Sequence, residues 1–149
     1  MAIYHGTPST TTYETKRVAL TIDHADVATG AGAQTFDLLE LSSDIVVLAA
    51  GAARIEEWAG GTLSACTISI GEDSTPDVDG YLAAFDVFTG SGTGPAAGTK
   101  GALLTQSTTY QPLLASGQKL TATVTPTDDD LENATAGTTA VWVIYREVP

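Results

Sequence analysis

Cysteine is nearly missing from this chain of 149 residues: Cys66 stands alone. A single thiol excludes an intramolecular disulfide framework and points to folding in a reducing cytoplasm. Cations are scarce as well, with 6 Lys and Arg against 18 Asp and Glu, a net charge of -12 with histidines neutral. Such a surface repels nucleic-acid phosphates and anionic lipid, so no nucleic acid and no membrane is expected as a partner. It favours solubility and suits a basic patch on a protein. No apolar run approaches the roughly 20 residues of a membrane span. Met1-Ala2-Ile3-Tyr4-His5 lacks a basic region followed by an apolar stretch, so no signal peptide is expected.

The groups that carry chemistry are equally thin. Of the two histidines, His5 falls in a polar N-terminal segment and His24 in Asp23-His24-Ala25-Asp26. Neighbouring side chains of an extended segment point to opposite faces, and one imidazole without a second nitrogen or sulfur ligand is a poor metal site. There is no Gly-x-Ser-x-Gly elbow, and strand alternation turns Cys66 inward, where a thiol behaves as a small apolar group. Glu56 and Glu57 are adjacent on a strand and diverge, unlike a glycosidase pair. Two acidic loops offer hard oxygen ligands: Glu72, Asp73, Asp77 and Asp79 in one, Asp128, Asp129, Asp130, Glu132 and Asn133 in the other. Neither has the twelve-residue spacing and closing glutamate of an EF-hand, so both read as turn-forming carboxylates. Gly90 to Gly98 is glycine-rich but has no Gly-Lys-Ser/Thr ending. No catalytic residue, cofactor or metal ligand is assigned, and the chain reads as a non-enzyme.

What is present is strand pattern, at a length that supports one domain with a proper core. Arg17 to Ile22 alternates, with Val18, Leu20 and Ile22 on one face, and Gln34 to Leu41 is a second strand. The apolar run from Ile45 leads through Arg54-Ile55-Glu56-Glu57-Trp58 to Gly60-Gly61, and Leu63 to Ile70 follows. That pair reads as a central hairpin turned at the two glycines. Asp79 to Phe88 fits either a short helical turn, with Tyr81, Ala84, Phe85 and Phe88 on one side, or a strand. Gly90 to Gly98 is an exposed loop, and Ala102 to Thr105 is a further strand. Gln118 to Thr125 sets Leu120, Ala122 and Val124 inward and its threonines outward, ending at Pro126. Ala140 to Tyr145 is apolar on both faces, as befits a central strand or one covered by another subunit. Seven or eight strands with no long helix predict an all-β, antiparallel β-sandwich of jelly-roll type.

Met1 to Glu14 reads instead as an extended N-terminal arm ahead of a single domain over residues 15–149. Pro8 and Ser9-Thr10-Thr11-Thr12 have almost nothing to bury. Ile3, Tyr4, His5 and Tyr13 are the side chains there able to anchor a partner, and Trp142 in the last strand is a fifth candidate contact.

The order of these segments resembles a known family. Thr21-Ile22-Asp23-His24-Ala25-Asp26, Arg54 to Gly61, Leu63 to Gly71, Asp79 to Val87 and Val141 to Tyr145 look like the small virion proteins of tailed bacteriophages. The chain is most similar there to jelly-roll capsid cement or decoration proteins. The resemblance runs from Arg17 to Pro149 and rests on structural segments. It implies a homotrimer on the outside of the phage head that contacts the major capsid protein and stabilises the shell. A head-fibre base or tail component is the alternative within that class. A calcium-dependent carbohydrate-binding module on a jelly roll is the alternative outside it, and would need exposed aromatics where Trp58 and Trp142 lie in packed strands.

Overall fold

The strand pairs of the computed structural model, which describes residues 14–28, 30–73, 77–88 and 113–148, obey one rule. β1 (Thr15–Asp23) pairs with β8 (Ala136–Glu147), and β2 (Gln34–Glu40) with β7 (Lys119–Thr127). β3 (Ile45–Ala59) pairs with β6 (Leu113–Leu114), and β4 (Ala65–Glu72) with β5 (Asp77–Asp86), all antiparallel. The eight strands thus form one long hairpin. Additional pairing of β3 with β8 and of β4 with β7 rolls it into two sheets, β1-β8-β3-β6 and β2-β7-β4-β5. Eight strands wound in this way are a jelly-roll β-sandwich, as the sequence pattern predicts. A single 3-10 turn, Leu131–Asn133, is the one helical element among the described residues.

The core fills the space between the sheets. Ile22, Val47, Val141 and Val143 enter from one side, and Cys66, Ile68, Ile70, Leu120 and Val124 from the other, each at most 1% exposed. Burying an aliphatic side chain of this size stabilises by about 1.5–3 kcal/mol, so these alternating positions fix which face of each strand turns inward.

Three expectations need correction, and one open alternative is decided. β3 and β4 are real strands but not a hairpin, because they lie in opposite sheets. Gly60 and Gly61 carry the chain across the end of the sandwich at φ 133° and 54°. A side chain at either would also meet Thr135, Asn133 or Asp129. Turn residues mark a reversal, but the same alternation suits a strand that pairs alongside and one that packs across the core. Asp79 to Asp86 belongs to a strand and not to a helical turn, with backbone groups laddered to β4. β7 does not stop at Pro126. Beyond Val124 it has lost β2 and keeps only β4 as neighbour, so a residue without an N–H is tolerated. Thr121 and Thr123 do alternate with the core residues but are buried, and Thr123 Oγ1 lies 3.0 Å from Thr35 Oγ1.

The N-terminal segment through Tyr13, the Gly90 to Gly98 loop and the Ala102 to Thr105 strand lie outside the described residues. No helix among the described residues is long and apolar enough to cross a membrane.

Candidate functional site

β8 lies between β1 and β3, so both its edges are paired, while one of its two apolar faces turns outward. Its inward residues Thr139, Val141, Val143 and Tyr145 are buried, whereas Ala140, Trp142 and Ile144 face outward and are half-buried. Antiparallel sheets usually turn polar residues to water on the outer face. Here the neighbours of Trp142 are Ala19 on β1 and Gly51 on β3, and those of Ile144 are Arg17 and Ala49. The result is a low apolar surface with one large ring. Gly51 is required beneath that ring, since a Cβ there would run into the indole of Trp142. Arg17 covers it from β1, its guanidinium carbon 5.8 Å from the ring centroid, in cation–π range.

The exposed large hydrophobics follow from irregularities of pairing. Leu48 and Ile55 sit where the β3–β8 register slips, so each lacks a Cα partner and is thrown into solvent at 40% and 55% exposure. Leu113, on the two-residue strand β6, is the third.

Charge on this surface is unusual for the chain. Lys16 pairs with Glu147 at 2.7 Å, Lys119 with Asp37 at 2.6 Å, and Arg54 with Glu57 at 3.2 Å. Arg17 and Arg146 have no carboxylate within ion-pair distance among the described residues. Arg17 stacks on Trp142, and Arg146 donates to Thr15 Oγ1 at 3.1 Å. Both occupy outward positions at the same end of the β1–β8 ladder.

The other candidates are engaged internally. Trp58 is wholly buried, its Nε1–H donating to Thr139 Oγ1 at 2.8 Å, so it offers no platform for a sugar. Arg54 points into the core end, donates to the Phe88 carbonyl at 3.3 Å and holds Glu57. It fastens the exit of β5 where Trp58 N–H also meets the Val87 carbonyl. Nothing in its charged, strand-like neighbourhood signals that burial. Asp23 and Asp26 close their own turn, Asp23 accepting from Ala25 N–H at 2.8 Å and Asp26 accepting from Asp23 N–H at 2.9 Å. His24 stands in that turn, its backbone N–H on the Gly137 carbonyl at 2.9 Å.

The acidic loops are tied down in the same way. Asp129 accepts from Thr62 N–H at 2.6 Å, from Asp130 N–H at 2.8 Å and from Asn133 Nδ2 at 2.7 Å. These donors, Thr62 first, hold its carboxyl down to about 2. Asp128 accepts from Ser64, Asp73 from Lys119 N–H, and Glu72 from Gln118. Among the described residues no group of three or more His, Cys, Asp or Glu is arranged to hold a metal ion. Burial pushes the Cys66 thiol up to about 12. A cleft lined by Leu39, Leu41, Ile45 and Tyr145 has about 30 Å³ of room, enough for a water and far below a ligand pocket.

Of the five predicted contact residues, the structure thus places Trp142 on an outer sheet face. Ile3, Tyr4, His5 and Tyr13 lie outside the described residues. Sequence reading missed Arg17 and Arg146: Arg146 shares the parity of Trp142 on β8, a signal present in the sequence, whereas Arg17 reaches that face only through the β1–β8 ladder.

No protein-family model and no curated protein matches this sequence. Among solved structures, a chain of the cyanophage Pam1 capsid asymmetric unit is similar over 99% of this chain and 92% of its own. The TM-score is 0.56 and the identity 16%, a likeness of fold. A chain from the cryo-EM structure of Mud crab tombus-like virus aligns over 97% of this chain and 94% of its own, with a TM-score of 0.37 and 10% identity.

Proposed function

We propose that this chain is a non-enzymatic virion structural protein. In the finer reading it is a capsid cement or decoration protein of a tailed phage, bound as a homotrimer to the major capsid protein on the outside of the head. The observation that supports it most is the jelly-roll winding of the described strands together with the likeness of fold to a chain of a cyanophage capsid asymmetric unit. The described acidic turns fit a binding role, with Asp23, Asp26, Asp128 and Asp129 spent on internal hydrogen bonds. A trimer multiplies weak shell contacts through effective concentration. Residues 1–14 are the proposed arm, adding extended-backbone contacts with Ile3, Tyr4, His5 and Tyr13 as anchors. The acidic body keeps decorated particles from adhering to one another.

The test is to add purified protein to heads that lack it and measure co-sedimentation and the thermal stability of the shell. Full-length protein should bind and raise the temperature at which the shell opens. Protein lacking residues 2–13 should keep its own melting temperature and lose most of its retention. Failure of the full-length protein to sediment with heads sinks the cement reading, and binding to tails instead would assign it to the tail. Equal retention of both forms removes the role of the arm alone.

A further inference from the structure

We infer that a second copy of this chain docks on the outer face of the β1-β8-β3 sheet, setting its carboxylates on Arg17 and Arg146 and its apolar surface on Trp142 and Ile144. This deepens the self-association part of the proposed function, on which it rests, by naming the face and the forces.

Charge selects the face. At a net -12, two copies repel wherever their carboxylates meet. Three of the five described cations are neutralised within their own chain, and Arg54 among them is buried. The remaining two, Arg17 and Arg146, lie side by side on one face with no carboxylate in reach among the described residues. An acidic protein is itself a partner rich in carboxylates, so a second copy is complementary to this patch.

Shape agrees. Ala19 and Gly51 flank Trp142 across the sheet, which lets another surface come close to the half-buried indole that lies between them. A large aromatic among small residues beside arginine is the composition of an interface centre. Trp142 is also pre-positioned, being held between Gly51 and Arg17 before any partner arrives, so little side-chain entropy remains to be lost on docking.

The geometry allows two closures. Glu56 sits at the opposite end of the same face, opposite Thr138, so a two-fold pair would set Arg17 and Arg146 near the partner's Glu56 end. A ring would use carboxylates from another side of the next copy, as a trimer requires.

The experiment is light scattering coupled to size exclusion on the full chain, with circular-dichroism melts as the check on folding. Arg17→Glu with Arg146→Glu should weaken association by at least roughly thirtyfold, as for lost interfacial charge pairs. Raising the salt should shift wild-type protein toward monomer, the opposite of what relief of general repulsion would do. Ala19→Arg, at an exposed position beside Trp142, should block the same contact, with the melts checking that the variant folds. Lys119→Glu, on the other sheet, should leave the mass unchanged. A trimer lost in the face variants supports both readings; a dimer lost in them supports this face and overturns the trimer. An oligomer that survives both face variants overturns this inference alone, and a monomeric wild type overturns both.

Discussion

The indole of Trp142 on β8 lies across Gly51, its Cα partner on β3, so closely that a β-carbon at Gly51 would clash with the ring at Cζ2. The opposite neighbour on β1 is Ala19, and Arg17 reaches over the ring from one pair further along. One large residue on the outer face therefore dictates a glycine at its β3 neighbour.

Gly51→Ala should cost about 1–3 kcal/mol, the usual effect of overpacking. In a Trp142→Ala background the same change should cost almost nothing, because the obstructing ring is gone. Urea denaturation of the four proteins gives the coupling directly. Equal costs in both backgrounds would mean that the backbone at Gly51, and not the ring, demands glycine.

Thr139→Val should destabilise by about 1–3 kcal/mol although it preserves shape. Trp58 and Thr139 are both wholly buried, and the indole N–H would lose its acceptor with no water to replace it. The melting temperature should fall by about 2–4 °C for each kcal/mol lost in a chain of this size. A Thr139→Val variant as stable as wild type would show that the N–H finds another acceptor.

Asp129 should make stability depend on pH in one direction. Its carboxyl is held at about 2 in the folded chain against an ordinary 3.8, chiefly by Thr62 N–H. A depressed value contributes stability that is fully present above the ordinary one and is lost as pH falls through the folded one. Asp129→Asn should therefore be less stable than wild type near neutrality, with the gap closing as pH falls toward about 2. Thermal melts across that range decide it, and a constant gap would assign the effect to hydrogen-bond geometry instead of charge.

Cys66 should be silent toward a disulfide reagent at about pH 8 while the protein is folded. It is buried, and loss of hydration raises the thiol to about 12, mainly through burial with Asp86 adding to it. Denatured in guanidinium, the chain should label fully. Rapid labelling of the native protein would mean that β4 opens readily at that point.

Much of the strand pattern was legible beforehand because it is local. Val18, Leu20 and Ile22 alternate with exposed residues on β1, and Leu120, Ala122 and Val124 turn inward on β7 as the period of two requires. The apolar last strand was visible for the same reason, and so was the lone Trp142 within it. Thr121 and Thr123 were read as exposed because polarity stands in for exposure in a sequence. On a strand with neighbours on both sides it does not.

What the chain could not state was which strands meet. Gly60-Gly61 announces a turn, yet whether β4 returns beside β3 or packs across the core depends on β7 and β8, which come much later in the chain. Arg54 alternates like a surface residue, and only the arrival of Phe88 against β3 encloses it. Arg17 and Trp142 become neighbours solely through the β1–β8 ladder, and Gly51 joins them through β3–β8. The sequence by itself determined the alternation of each strand, the acidic excess and the scarcity of reactive groups, because these are properties of single residues and their nearest neighbours. The tertiary structure alone decided which cations are left unpaired and that they gather beside one tryptophan, because pairing is set by contacts between segments far apart in the chain.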